Sequence, residues 1–141
     1  MKVNVSAEAI KNHEELWPNY QSRAAQTDPE LIEIFDNWAF DEVVSHGNID
    51  TKTRTMMIMG SCIAQGALTE YKMFVNAALN IGVSPVQVKE VLYQSVAYAG
   101  VAKVIDCLYA TNEIFKERSI ELPLERQSTT TPENRQAKGL G

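Results

Sequence analysis

Between Asp50 and Gly66 the chain runs TKTRTMMIMGSCIAQ, and its middle, Met56 to Ala64, is apolar on almost every helical face. A helix that is apolar all round is stable only when other elements enclose it. Asp50 is a capping residue at its start, and Gly66 tolerates the left-handed conformation that ends helices. The run is interrupted by Gly60 and Ser61 and is far too short to cross a bilayer. It therefore predicts the central helix of a soluble fold, with the other elements arranged around it.

Those other elements are also helical. Ser6 caps AEAIKNHEEL, and Pro18 breaks this first helix or restarts it as PNYQSRAAQ, which reads as two short helices. Asp28-Pro29-Glu30 opens the next helix, with Pro at the first position. Leu31, Ile32, Phe35, Trp38, Ala39 and Val43 follow at helical spacing, a wide apolar face expected to pack along its whole length. His46-Gly47-Asn48 marks a loop. After Gly66 a helix from about Leu68 to Asn80 closes at Gly82. Ser84-Pro85-Val86-Gln87 then combines a capping box with Pro at the first position, giving a helix from Pro85 toward Tyr98 with Val88, Val91, Leu92, Ser95 and Val96 on one face. A last helix follows Ala99-Gly100 and ends near Arg118. No stretch keeps strand alternation, so the class is all-α: a single-domain array of about six to seven helices around a central antiparallel hairpin. The organisation is an N-terminal helical segment over 1–27, the main domain over 28–118, and a polar, aperiodic tail over 119–141, extended or disordered by composition.

Composition removes several functions. With 141 residues the chain is one domain with a real core. The net charge of −5 and the lack of a Lys/Arg cluster exclude a nucleic-acid partner. The two cysteines, Cys62 and Cys107, and two histidines, His13 and His46, assemble neither a zinc knuckle nor a CxxC motif, and no disulfide scaffold. The N-terminus lacks the apolar stretch of a signal peptide. A cytoplasmic protein without membrane partners is expected.

Three stretches, WAFDEVVSHGNIDTKTR, EYKMFVNAALNIGVSPVQVKEVLYQSVAYAG and the helix after them, resemble the carboxymuconolactone decarboxylase family, which shares its fold with the alkylhydroperoxidase D-like proteins. The AALNIGVSPVQVKEVLYQSVAYAG portion is the most specific. TTTPENRQAKGLG is similar to the segment that leads into a neighbouring unit in longer relatives. The resemblance implies an all-α homo-oligomer, a trimer or hexamer, and a cofactor-independent lyase acting on a small lactone or oxo acid of aromatic catabolism. Loss of CO2 from such a substrate requires donors for a developing oxyanion and an acid that reprotonates carbon. The decarboxylase pattern implies a Glu and, four positions later, a His on one helix face. Glu70 holds the first position and Phe74 the second. The peroxidase-like branch's CxxC falls at Ala67 and Glu70, its His at Phe74 and its relay Glu at about Thr55, so none of its four roles is filled.

Catalytic candidates are accordingly Glu70, His46 and Tyr98, and substrate-binding candidates are Trp38, Arg54 and Phe74, with no cofactor and no metal. Each has a plainer role. Glu70 also complements the dipole of its helix after Thr69. His46 is either an acid standing in for the missing histidine or an exposed loop residue. The aromatic residues Trp38, Phe74 and Tyr98 wall a pocket with Glu70 and His46 at its mouth, or serve as core and subunit interface. Arg54, unfavourable in a first helical turn, is offset by Asp50, by a bound carboxylate, or by an inter-subunit pair. Cys62 reads as a buried apolar residue, and a one-cysteine peroxidase-like reductase or a binding member with Phe74 filling the former pocket are the alternative functions. His13 and the Met56, Met57, Met59 and Met73 set have no feature that marks them as functional.

Overall fold

The computed structural model describes residues 3–126, and among these every regular element is a helix. In chain order they are α1 (Ala7–Leu16), α2 (Ala24–Thr27), α3 (Pro29–Asn37), α4 (Val43–Ser45), α5 (Thr51–Gln65), α6 (Leu68–Asn80), α7 (Pro85–Ala99) and α8 (Val101–Glu117). A π-helical turn, Trp38–Glu42, joins α3 to α4, so the backbone stays helical from Pro29 to Ser45. The residues from 127 onward, including most of the sequence's polar tail, lie outside the described residues; Ser119 to Arg126 carry no helix beyond a turn.

The boundaries follow from local chemistry. Asp50 starts α5 by accepting from the Thr53 N–H at 3.1 Å and the Thr53 hydroxyl at 2.7 Å. Gly66, at φ +68°, ends it and leaves room for only Ala67 before α6, so α5 and α6 form a tight hairpin. Ser84 and Gln87 complete the expected capping box, each side chain bonding the other's backbone N–H, at 3.1 and 3.0 Å. Ser6 caps α1 through the Ala9 N–H.

The core lies between α5, α6, α7 and α8. Met59 and Ile63 from α5 meet Tyr71 and Val75 from α6, Val88 and Leu92 from α7, and Ile114 and Phe115 from α8. At its centre is a short polar chain. The Thr111 hydroxyl donates to the Cys107 carbonyl at 2.7 Å. A hydroxyl has one hydrogen to give, so the Tyr71 phenol is the donor in its 2.6 Å bond to Thr111 Oγ1. Burial pushes the Tyr71 phenol far up, the Thr111 bond offsetting part of this.

Of the two short helices expected around Pro18, the second is the single-turn α2, reached through a turn. Two other expectations change. The α3 face does not pack along its length within one chain: Leu31, Ile34, Phe35, Trp38 and Val43 are exposed. Nor is α5 enclosed on every side. Thr55, Met59, Cys62 and Ile63 are buried, but Met57 on the opposite flank is exposed beside α7.

Candidate functional site

Phe74 organises the α1 side of the bundle. Residues 13, 16 and 17 of α1 share one helix face, and this face meets α6 and the π turn. Trp17 is buried and its indole N–H donates to the Met73 carbonyl at 2.8 Å, which fixes the ring. Phe74 meets it edge-on at 5.1 Å between centroids. Phe40 meets Trp17 at 5.9 Å, and His13 lies 5.1 Å from both Trp17 and Phe40 and stacks on Tyr20 at 6.2 Å. Phe74 is half-buried and packs against both apolar clusters, so it closes the space between them.

The π turn places these rings. One residue more per turn than an α-helix moves Phe40 inward and leaves Trp38 exposed. The polar groups of this wider turn are satisfied by α1 and its cap: Asn12 Nδ2 donates to the Phe40 carbonyl at 2.7 Å, and the Ser6 hydroxyl donates to Asp41 Oδ2 at 2.7 Å. Burial lowers the His13 pKa below its ordinary value, with Asp36 and Glu14 opposing. Burial raises that of Asp36, with His13 opposing. His13, which its polar helix context in the sequence gave no reason to single out, is therefore part of the aromatic cluster around Phe74 and Trp17. The signal that finds it is its spacing from Trp17, four residues on.

On the same side, Arg54 is half-buried in the first turn of α5. Burial lowers its pKa and Glu15 of α1 pulls it back. The oxygens of Asp50 are engaged by Thr53, whose hydrogen bonds hold that carboxyl below its usual range. Asp50 is thus not the partner of Arg54, and among the described residues the guanidinium has no ion pair or side-chain hydrogen bond. Its neighbour Thr55 has a buried hydroxyl that likewise finds no partner among the described residues.

Glu70 stands in the first turn of α6, one turn before Phe74, and is exposed. Burial first, and the Glu70 charge second, push the Cys62 thiol up. Cys107 is raised by burial, Asp106 and Cys62, so the two buried thiols lie close enough to influence each other and both stay protonated. Arg54 and Phe74 each lie on the α1 side, near Glu15 and Trp17 respectively, whereas Glu70 stands at the hairpin end of α6 near Cys62. The other three candidates lie apart from these. His46 is exposed after α4, Trp38 is 56% exposed, and Tyr98 is 97% exposed.

Tyr98 instead borders an open groove of about 560 Å³ between α5 and α7, walled by Met56, Met57 and Gly60 on one side and Val91 and Ser95 on the other. A second cavity lies between α7, α8 and the segment after α8. No three metal-ligating side chains converge among the described residues, and no helix among them is long and apolar enough to cross a membrane.

Comparison with known proteins places these features in a family. The chain is 24% identical over 102 residues to a nitrosuccinic acid decarboxylase of Metarhizium robertsii, covering 72% of this chain and 68% of that protein. It is 25% identical over 118 residues to a 4-carboxymuconolactone decarboxylase of Acinetobacter baylyi, covering 84% of this chain and 78% of that protein. The model of the carboxymuconolactone decarboxylase family matches residues 29–113, which run from the start of α3 to the last turns of α8. Since that match takes in more than half of the chain, the protein belongs to the carboxymuconolactone decarboxylase family.

Proposed function

We propose that the protein is a cofactor-independent carbon–carbon lyase that removes CO2 from a small lactone or oxo acid of aromatic catabolism. The observation that carries this reading is Arg54, a half-buried guanidinium with no carboxylate within ion-pair distance among the described residues, Glu15 acting on it from farther away. A cation in that state is suited to hold a substrate carboxylate by a bidentate pair. Both relatives named above are decarboxylases, one of nitrosuccinic acid and one of a carboxymuconolactone, so an acid substrate agrees with them.

In this reading Arg54 binds the substrate beside the apolar wall of Phe74. The bond from carbon to the carboxylate breaks, its electron pair passes into the unsaturated lactone or carbonyl oxygen, CO2 leaves, and Glu70, which takes a proton from solvent, passes it to that carbon. His46, Tyr98 and Trp38 lie exposed, and their assisting roles belong to a site completed by a second copy. A homo-oligomer, trimer or hexamer, is supported by the exposed Leu31, Ile34, Trp38 and Val43 on one helical segment and by Tyr93, Tyr98, Val101 and Tyr109 on α7 and α8. The protein acts in the cytoplasm in this proposal.

Phe74 favours a second reading, a non-catalytic member that binds a small ligand, because a phenyl ring transfers no proton and here it fills the space between two apolar clusters. A peroxidase-like reductase has less support, since Cys62 is buried and its thiol raised.

CO2 release from 4-carboxymuconolactone, nitrosuccinate and a 3-oxo acid tests the first of these readings. The lyase reading expects turnover of at least one, and a loss of about a hundredfold in kcat/KM, roughly 2.7 kcal/mol of transition-state stabilisation, in Arg54→Gln. No turnover across the set counts against the lyase reading, and an Arg54→Gln variant as active as the parent removes Arg54 from the mechanism.

A further inference from the structure

Among the described residues Lys89 is the only charged side chain in the buried class, at 8% exposure. The sequence gives no hint of this, because Lys89 sits on α7 next to Val88, between the apolar positions of a surface-like stretch. Its ammonium donates to Asn112 Oδ1 of α8 and lies 5.7 Å from the centroid of the Phe115 ring. An ammonium has three hydrogens to give, and Asn112 takes one. No carboxylate stands within ion-pair distance of it among the described residues.

Lys89 lines a cavity of about 850 Å³, within the range of small-molecule sites. Val86 and Tyr93 of α7 form one wall, Asn112 the floor, and Leu122 and Leu124 the other wall. Two carboxylates reach the lining, but neither neutralises the amine. Glu90 accepts from Gln94 Nε2 at 2.7 Å and also faces the α5–α7 groove, while Glu125 is exposed at the rim next to the opposite charge of Arg126. A buried cation facing open space, with spare donors and apolar walls, lacks a matching anion.

We infer that this cavity is a binding site for a small organic acid, whose carboxylate is held by Lys89 Nζ and the Asn112 side-chain amide and whose apolar body lies along Val86, Leu122 and Leu124. Burial on its own lowers the pKa of Lys89, and a bound carboxylate reverses that tendency by favouring the charged amine. The site shares no residue with Arg54, Glu70 or Phe74, so it is independent of the lyase reading: it is a second acid site, suited to product or effector binding.

Calorimetric titration of the full chain with 3-phenylpropionate, 3-phenylpropionamide and inorganic phosphate tests this. The acid is expected to bind at least tenfold more tightly than the amide and than phosphate, and Lys89→Met is expected to weaken the acid tenfold or more. Because the acid-to-amide comparison is also made in Arg54→Gln, where the other proposed acid site is absent, it decides the question even if Lys89→Met folds poorly. Equal binding of acid and amide, no detectable binding of the acid, or an unchanged affinity in a folded Lys89→Met overturns the site. Phosphate binding as tightly as the acid overturns its assignment to organic acids.

Discussion

Replacing Thr111 by Val exchanges a hydroxyl for a methyl of similar size at the centre of the core, and the hydrogen-bond direction fixes what this costs. Tyr71 is fully buried and donates to Thr111 Oγ1, so Thr111→Val strands a phenol hydrogen where neither water nor another acceptor reaches it. An unsatisfied buried donor costs about 1–3 kcal/mol, and the added methyl returns about 0.8 kcal/mol, for a net loss of about 0.2–2.2 kcal/mol, centred at about 1.2 kcal/mol. Tyr71→Phe removes the donor itself. Thr111 keeps its bond to the Cys107 carbonyl and gives up only an acceptor's partner, so the loss is about 1 kcal/mol or less. The double variant removes both polar groups and is expected to lie within about 0.5 kcal/mol of the parent. Its energy is then well short of the sum of the singles, a coupling of about 2 kcal/mol. Urea unfolding of the four proteins at one protomer concentration measures this, since any oligomer makes stability depend on concentration. Equal or additive losses, or a larger loss for Tyr71→Phe than for Thr111→Val, refute the assigned donor.

Two glycines are expected to respond in opposite directions to the same change. Gly66→Ala forces an alanine to φ +68° and costs about 1 kcal/mol, whereas Gly60→Ala, inside α5 with nothing within 4 Å of the new methyl, stabilises by about 0.5–1 kcal/mol; thermal unfolding separates them by sign. Acidification is expected to weaken the α1 cluster. Because the folded His13 pKa lies below 6.5, the unfolded chain takes up that proton first, so the contribution is present above pH 6.5 and is lost as pH falls through the folded pKa. Asp36, raised above 3.8, acts in the opposite sense and contributes below that value, losing its effect as pH rises through its own folded pKa. Stability measured from pH 7 to 5 therefore falls less in His13→Gln than in the parent, and an unchanged slope removes His13 from this account.

The sequence carried most of the helix pattern because caps and stops are local. Asp50, Gly66, the Ser84–Gln87 box and Gly100 each act within one turn, and both ends of α5 and of α7 fall where those residues place them. What periodicity could not convey was which side of a helix finds a partner. The apolar positions of α3 look the same whether α1 covers them or not, and Leu31 and Ile34 prove exposed. The site was legible only in part for a related reason. Glu70 and Phe74 share a helix, so their spacing shows them together, but Trp17 reaches Phe74 from far earlier in the chain and brings His13 alongside. Lys89 was invisible because burial of a lysine depends on Asn112 and Phe115, on another helix.

The π turn between α3 and α4 puts the helical segment out of phase with itself. Its wider loop accommodates one residue beyond an α-helical count, so side chains before and after Trp38–Glu42 are rotated by about 100° relative to an uninterrupted helix. Deleting a single residue within it restores the regular count and turns everything on one side by that angle: Phe40 leaves the His13 and Trp17 rings, and the Asn12 bond to its carbonyl is lost. Shortening the segment by one residue is thus a larger change than any substitution in it, for it alters which face of the helix the rest of the protein meets.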